Sequence, residues 1–489
     1  MTRIDSASYR QKLASCLKDV FIVPFISYNG QRSLLEEKKM KEKFQTYRTY
    51  FARLLAIAVP MILSNIINQV QMLIDRIFLG QANTLYMAVL GNTTSPLWTT
   101  MSVCFSIATG ASILISQSVG AKDDIKKEEY SGAMLKYNNI LPFALFLMWF
   151  FASKPIFRLM GVSDNLIGMC ADYTRYCSPM FLLLGLGCST TVIFQTSNHT
   201  KHLAIWSVLR SGLNIFFDWV LIFGNLGFPS MGIKGAALGT TIAEYLGGMY
   251  LMFAYLRSGK LNTRPSMQAI KKAKLSSYLH SAKLGINTAL EDFCWNFGNL
   301  AIIRILNSIN ELAAGIYSII FGVEVLAVVI IGSLGSGTLT LASEAIGQSD
   351  KKQYKGVCLS AYALSLVVTL AMILVSILCP KWIISAFTKD RSIIATSGIY
   401  LLLISINLIS KSGNIVIGSA IRGSGDTRWM FFTQIFGTVF VIAVACFFVY
   451  TLKLGIVGVF LAVIADEGVR FAVNFAKFAR ICKKSPVLN

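Results

Sequence analysis

Long apolar stretches alternate with short polar ones along the whole chain. Twelve apolar runs can be drawn, approximately at 51–79, 85–116, 132–153, 164–193, 203–224, 232–257, 279–306, 312–346, 356–380, 391–418, 430–450 and 455–478. A helix needs about 20 apolar residues to cross a bilayer, and each run supplies them. The longest must tilt or project beyond it. The alternating, roughly 9–11-residue segments of a membrane barrel are missing. The runs are apolar nearly all round, unlike the one-sided helices of a soluble bundle. The pattern predicts an all-α integral membrane protein with twelve transmembrane helices.

The pattern also repeats. Ser116-Gln-Ser-Val-Gly120-Ala-Lys-Asp123 returns as Ser343-Glu-Ala-Ile-Gly347-Gln-Ser-Asp350, 227 residues later. Ser197-Asn-His-Thr200-Lys201 returns as Ser424-Gly-Asp-Thr427-Arg428 at the same offset of 227. Gly232-Ile-Lys-Gly235 matches Gly455-Ile-Val-Gly458, and Glu244 matches Glu467, at an offset of 223. Each half holds six runs, an even number, so both halves enter the membrane the same way up. Two six-helix bundles related by a pseudo-twofold axis along the membrane normal are expected, with the working site where they meet. The predicted organisation is an N-terminal cytoplasmic extension (1–50), an N-terminal lobe (51–257), a cytoplasmic linker (258–278), a C-terminal lobe (279–480) and a short cytoplasmic tail (481–489).

Composition agrees. Hydrophobic residues make up 54% of the chain and charged residues 14%, with a mean hydropathy of +0.60. The average soluble domain carries roughly 25% charge. The formal net charge of +21 would suggest nucleic acid in a soluble protein. Here the basic residues gather in alternate loops (Lys122, Lys126, Lys127, Lys201, Arg257, Lys260, Arg264, Lys271, Lys272, Lys351, Lys352, Arg428), with both ends of the chain on their side. That is the positive-inside pattern, and it predicts cytoplasmic termini in a multi-pass cell (inner) membrane protein. No basic stripe with interleaved aromatics points to nucleic acid. The patch Val20-Phe-Ile-Val-Pro-Phe-Ile26 is too short to span and reads as a surface-lying turn of helix. The ten cysteines show no CxxC, and His199, His202 and His280 fall in or near loops, so neither set predicts a metal or redox centre. A monomer is expected.

Ionisable residues inside the runs carry the candidate chemistry. A carboxylate at mid-bilayer costs about 2.5–3.5 kcal/mol on insertion scales, so one that persists is a functional candidate. Asp75 lies late in the first run and Asp218 inside the fifth. Asn214 precedes Asp218 by four residues and shares its helix face. Its amide can donate to an ionised carboxylate or accept from a protonated one. For Asp75 the competing readings are a salt bridge with Arg76 or a helix cap, and adjacent helical residues do not face each other. The second half offers Glu291 and Asp292 in run seven and Glu324 in run eight, as an ion or drug site. Glu244 and Glu467 suggest an inner-cavity or structural role. Among the many aromatics, Trp98, Phe217 and Trp295 are candidates for contact with a cationic substrate.

Several motifs together carry a resemblance. The first run ends Leu73-Ile-Asp75-Arg-Ile-Phe-Leu-Gly80, and the second Thr109-Gly-Ala-Ser-Ile-Leu-Ile-Ser116-Gln-Ser-Val-Gly120-Ala-Lys-Asp123. The fifth contains Leu213-Asn-Ile-Phe-Phe-Asp218, the sixth opens Gly232-Ile-Lys-Gly-Ala-Ala-Leu-Gly-Thr240, and the tenth ends Gly423-Ser-Gly-Asp-Thr-Arg428. Their order and spacing over about residues 51–480 resemble the multidrug and toxic compound extrusion (MATE) family. The resemblance implies an antiporter, not an enzyme, that expels organic and often cationic small molecules against inward H⁺ or Na⁺ flow, without a cofactor and with no metal beyond a coupling Na⁺. It places an ion-coupling cluster at Asp75, Asn214, Asp218 and Thr240, and a hinge at Pro60. Where sodium-coupled members carry a helix-seven proline and an acidic residue, this chain has Asn287 and Trp295. Two alternatives remain: a lipid-linked precursor flippase of the same superfamily, for which Arg175, Arg210 and Arg304 could supply a cationic cavity, and an integral-membrane enzyme, for which Asp123-Asp124 is the single adjacent aspartate pair.

Overall fold

The structure, a computed structural model, describes residues 34–483 apart from 260 and 311. Residues 1–33 of the expected extension, with the patch at 20–26, Lys260 in the linker and residues 484–489 of the tail lie outside the described residues. The first half builds α1 (Leu34–Ala82), α2 (Thr84–Gly120), α3 (Asp124–Tyr137), α4 (Ile140–Phe151), α5 (Ser153–Leu159), α6 (Asp164–Cys177), α7 (Phe181–Thr196), α8 (Lys201–Phe223) and α9 (Ile233–Arg257). The short α10 (Met267–Lys272) leads to the second half: α11 (Leu275–Ile309), α12 (Ala313–Gly347), α13 (Lys351–Leu378), α14 (Pro380–Ser385), α15 (Arg391–Thr396), α16 (Gly398–Gly423), α17 (Thr427–Cys446) and α18 (Gly455–Lys483). No strand occurs among the described residues.

Helix covers every apolar run. Among the described residues nine helical stretches are long and apolar enough to cross a membrane. The helices α9, α11 and α18 fall below that measure, and they carry Glu244, Glu291 with Asp292, and Asp466 with Glu467 and Arg470. The outer surface is apolar: Val367, Leu370, Leu374 and Leu378 of α13 are exposed along one face, as are Phe432, Phe436 and Val439 of α17. Such a surface suits acyl chains rather than water. The helix α1 runs unbroken from Leu34, so residues 34–50, assigned above to the extension, continue the first crossing helix.

The repeat is written into the backbone. Lys122 and Ser349, 227 residues apart, take left-handed φ values of 55° and 56° in the turns after α2 and α12. Asp123 then accepts from Lys126 N to cap α3, and Asp350 accepts from Lys352 N and Gln353 N to cap α13. Leu226 and Lys453 (φ 57° and 54°) keep the offset, and Gly232 and Gly455 (φ 54° and 55°) show it reduced by four residues. The length difference between the halves therefore sits in the loop between their last two helices.

The helices α2 and α12 form the seam between the halves, and α1 and α11 each cross to pack on the other half's seam helix. At the end bearing the Lys122 and Ser349 turns, Gly120 lies against the backbone of Glu344, and Gly347 against that of Gln117, each in the other's place. A Cβ at either glycine would meet backbone, so only glycine permits this approach. Arg53 Nη2 lies 2.7 Å from Glu344 Oε2, and Gln117 Nε2 donates to Gly423 O at 2.9 Å. Gln195 Nε2 donates to Thr340 Oγ1 at 2.8 Å. The two halves are thus latched at the basic end.

Candidate functional site

Farther from that end, α1, α8 and α9 bring together the four residues expected to form a cluster. Asn214 and Asp218 lie one turn apart on α8, and both are 1% exposed. Asn214 Nδ2 is 3.4 Å from Asp218 Oδ1 and 3.2 Å from Thr240 Oγ1. Turned over, the same amide donates to Asp75 Oδ1 at 3.1 Å and accepts from Thr240 Oγ1 at 3.2 Å. Either orientation places Asn214 between the two carboxyls. Asp75 and Asp218 both lie against the Asn214 amide, and Asp218 Oδ2 makes no hydrogen bond among the described residues. Gly239 makes room, because a Cβ there would collide with Asp218 Oδ1. Asp75 turns to this cluster, while Arg76 stays exposed, so the local salt bridge does not form.

Sequence reasoning missed Gln71. It is buried, one turn before Asp75, with Nε2 at 3.4 Å from Asp75 Oδ2 and 2.5 Å from Asn214 Oδ1, and Ser211 Oγ donates to its Oε1 at 2.8 Å. The four-residue spacing from Asp75 was the signal that could have found it, the same signal that links Asn214 to Asp218. Two carboxyls gathered at one site are relieved of strong mutual repulsion once at least one of them is protonated. The amide and hydroxyl groups around them can donate to an ionised carboxylate or accept from a protonated one.

The matching positions of the second half, at the offsets of the repeat, are Ile302 for Asp75, Val441 for Asn214, Ala445 for Asp218 and Val463 for Thr240. Ile302, Val441 and Val463 line a small cavity there. The charges beside it are paired. Glu324, 1% exposed, lies 2.9 Å from Lys411 Nζ, and Arg470 lies 2.8 Å from Asp466 and 2.9 Å from Glu467. Glu291 is held by Arg422 in a fork of 2.6 and 3.1 Å. Glu291, Asp292 and Glu324 do not converge: two are tied into buried ion pairs, and Asp292 alone opens on a cleft. That cleft, about 300 Å³ between α2 and α11, is lined by Trp98, Phe105, Ser106, Asp292, Trp295 and Asn296 among others. Trp98 and Trp295 thus share the wall of the cleft with Asp292. Phe217 lies edge-on to Phe216, at a centroid distance of 5.4 Å, and lines neither cavity.

Pro60 lies inside α1 and lacks the N–H that would bond Ala56 O. Thr200, 1% exposed at the start of α8, supplies the donor: its Oγ1 is 3.0 Å from Ala56 O. The counterparts of Pro60 and Thr200 are Asn287 and Thr427, and Asn287 Nδ2 reaches both Thr427 Oγ1 (3.0 Å) and Lys283 O (3.1 Å). Of the arginines that could furnish a cationic cavity, Arg210 is bound to Glu244 at 2.5 Å and Arg175 Nε donates to Phe150 O.

Fold and site together define a helical membrane transporter with two related halves, latched at one end and cleft toward the other. The MatE family model matches it twice, over residues 60–220 and 288–447, once in each half. A probable multidrug resistance protein NorM of Thermotoga maritima is 26% identical over 419 residues, 84% of this chain and 89% of its own length. Probable multidrug resistance protein YoeA of Bacillus subtilis is 25% identical over 467 residues, 94% of this chain and 98% of its own. A solved structure described as an outward-facing conformation of a multidrug resistance MATE family transporter superposes with a TM-score of 0.81 at 17% identity, covering 89% of this chain and 96% of that one. The chain belongs to the MatE family.

Proposed function

We propose that this protein exports lipophilic organic cations across the cell membrane in exchange for protons. The observation that carries the reading is the gathering of two carboxyls, Asp75 and Asp218, on the amides of Asn214 and Gln71, with no basic side chain bonded to either among the described residues. A proton relieves the repulsion between two ionised carboxyls without further ligands, whereas a sodium ion needs several oxygens converging at fixed distances. H⁺ is therefore preferred to Na⁺. Asp292, beside Trp98 and Trp295, gives the cleft a negative, aromatic wall suited to a cation. The relatives named for multidrug resistance support the substrate class.

The proposed cycle runs as an exchange between two open states. With the basic end cytoplasmic, both termini lie inside and the cleft between α2 and α11 faces outward. Protonation of the Asp75–Asp218 pair bends α1 at Pro60 and favours release of the cation; deprotonation on the inner side resets the lobes. A flippase reading is weakened because Arg210 and Arg175 are already occupied within the protein. The test is ethidium accumulation in proteoliposomes holding the purified protein, driven by an imposed pH gradient or by an imposed sodium gradient. Uptake driven by the pH gradient alone is expected. Uptake that follows sodium alone, or ignores both gradients, refutes the proposal.

A further inference from the structure

We propose that Arg210 is a positioning residue for the Asp75–Asp218 pair, and that Arg470 is its counterpart in the second half, delivered to the matching place from the opposite helix. Arg210 projects from α8 over Gly247 of α9, where a Cβ would lie 3.1 Å from Arg210 Cβ. In the second half the exchange is complete. The counterpart of Gly247 is Arg470 on α18, and the counterpart of Arg210 is Gly437 on α17. A Cβ at Gly437 would lie 2.6 Å from Arg470 Nε. Each arginine thus fills the notch left by the glycine on the facing helix of its own half. Each also meets the repeated glutamate: Arg210 Nη1 is 2.5 Å from Glu244 Oε1, and Arg470 Nη2 is 2.9 Å from Glu467 Oε1. The place of the guanidinium is common to both halves, although the helix that supplies it is not.

In the first half that guanidinium leads on, through amides and hydroxyls, to the Asp75–Asp218 pair. Arg210 Nη2 donates to Asn68 Oδ1 on α1, which also accepts from Ser207 Oγ at 3.0 Å. One turn on, Ser211 Oγ holds Gln71 Oε1, and Gln71 Nε2 holds Asn214 between the carboxyls. The fork therefore fixes α1 against α8 on the side of the cluster nearer the basic end. In the second half Arg470 Nη1 ends on Gln434 Oε1 at 2.9 Å, and the counterparts of Asn68 and Gln71 are Trp295 and Gly298. The groups facing the carboxyl pair are Tyr173 and Cys177 of α6 and, farther off, Arg210 itself.

This inference rests on the proton-coupled reading above, and its test separates the two. Infrared difference spectra of the purified protein follow the protonated-carboxyl band with pH, with Asp218→Asn assigning it; no transport is needed. Arg210→Gly should move the midpoint of that band by roughly three- to tenfold in proton concentration, as expected for loss of one nearby charge and its fork. Arg210→Gly/Gly247→Arg, which sends the guanidinium from the other helix as the second half does, should return it. Should Arg210→Gly fail to reach the membrane, Asn68→Ala is read instead, with a shift in the same band expected. A single variant that titrates as the parent protein overturns the proposal, as does a double variant no closer to the parent than Arg210→Gly. If ethidium exchange proves not to be proton-driven while the band still moves and returns, the transport reading fails and the positioning role stands.

Discussion

Thr200→Val isolates the energetics of the proposed hinge. Valine keeps the shape of threonine but removes the hydroxyl that donates to Ala56 O at 3.0 Å. Pro60 leaves that carbonyl without its helical partner, and Thr200 is 1% exposed. The carbonyl is then stranded while the basic end is latched. A buried acceptor left unsatisfied costs about 1–3 kcal/mol. When the basic end opens, water reaches the carbonyl and the penalty falls away. The substitution should therefore shift the equilibrium toward the state open at the basic end by about 5- to 150-fold. Thr200→Ser keeps the donor and should shift it little. Thr427→Val is the matched control, because Asn287 also bonds Lys283 O and α11 has a backbone N–H where α1 has proline. Nitroxide pairs at Lys126→Cys and Lys352→Cys, both exposed beyond the seam, report the opening by electron–electron resonance in a background freed of native cysteines. An unchanged distance distribution in Thr200→Val, or an equal change in Thr427→Val, refutes the reasoning.

Further predictions concern the sites. Asp218→Asn and Asp75→Asn remove an exchangeable proton from the carboxyl pair, so ethidium accumulation driven by a pH gradient should vanish in each, while ethidium binding to the purified protein persists; vesicle fluorescence and equilibrium binding read the two separately. Asp292→Asn should do the reverse, weakening ethidium binding by roughly 1–4 kcal/mol, the range for one charge at about 4 Å between water and a protein surface. One proton exchanged for one monovalent cation moves no net charge. Transport should therefore be insensitive to a potassium-diffusion potential imposed with valinomycin, and acceleration by that potential would require a second proton.

Much of the frame was legible because it is local and repeated. Apolar length marked the helices, and the 227-residue offset marked the turns at Lys122 and Ser349 and the caps at Asp123 and Asp350. The cluster of Asp75, Asn214, Asp218 and Thr240 was legible through four-residue spacing and resemblance. What stayed hidden was pairing across helices. Nothing in the linear order tells that Glu291 meets Arg422, 131 residues on, or that Glu324 meets Lys411. Lys411 could have been flagged, since an ionisable residue inside an apolar run invites the same question as a carboxylate. Its partner could not, because the approach of α12 to α16 is a tertiary fact. Asp292, one residue from Glu291 and on a different helix face, escaped that pairing for the same geometric reason.

The repeat also shows what each half was free to change. Where the halves touch, their residues mirror each other: Gly120 with Gly347, Gln117 with Glu344. A side chain at either glycine would part the seam, so that contact tolerates little. Inside each lobe the requirement is only to fill space and leave no polar group stranded. The first lobe fills the place with Asp75 and Asp218 gathered on Asn214, and the second with Ile302, Val441 and Ala445. Its neighbouring charges, Glu324 with Lys411 and Asp466 with Arg470, have partners already, and removing either member would leave the other as an unpaired buried charge. A titratable pair without a basic partner can gain and lose a proton at far smaller cost. On the proton-exchange proposal above, this asymmetry assigns the exchangeable proton to the first lobe and static ion pairs to the second.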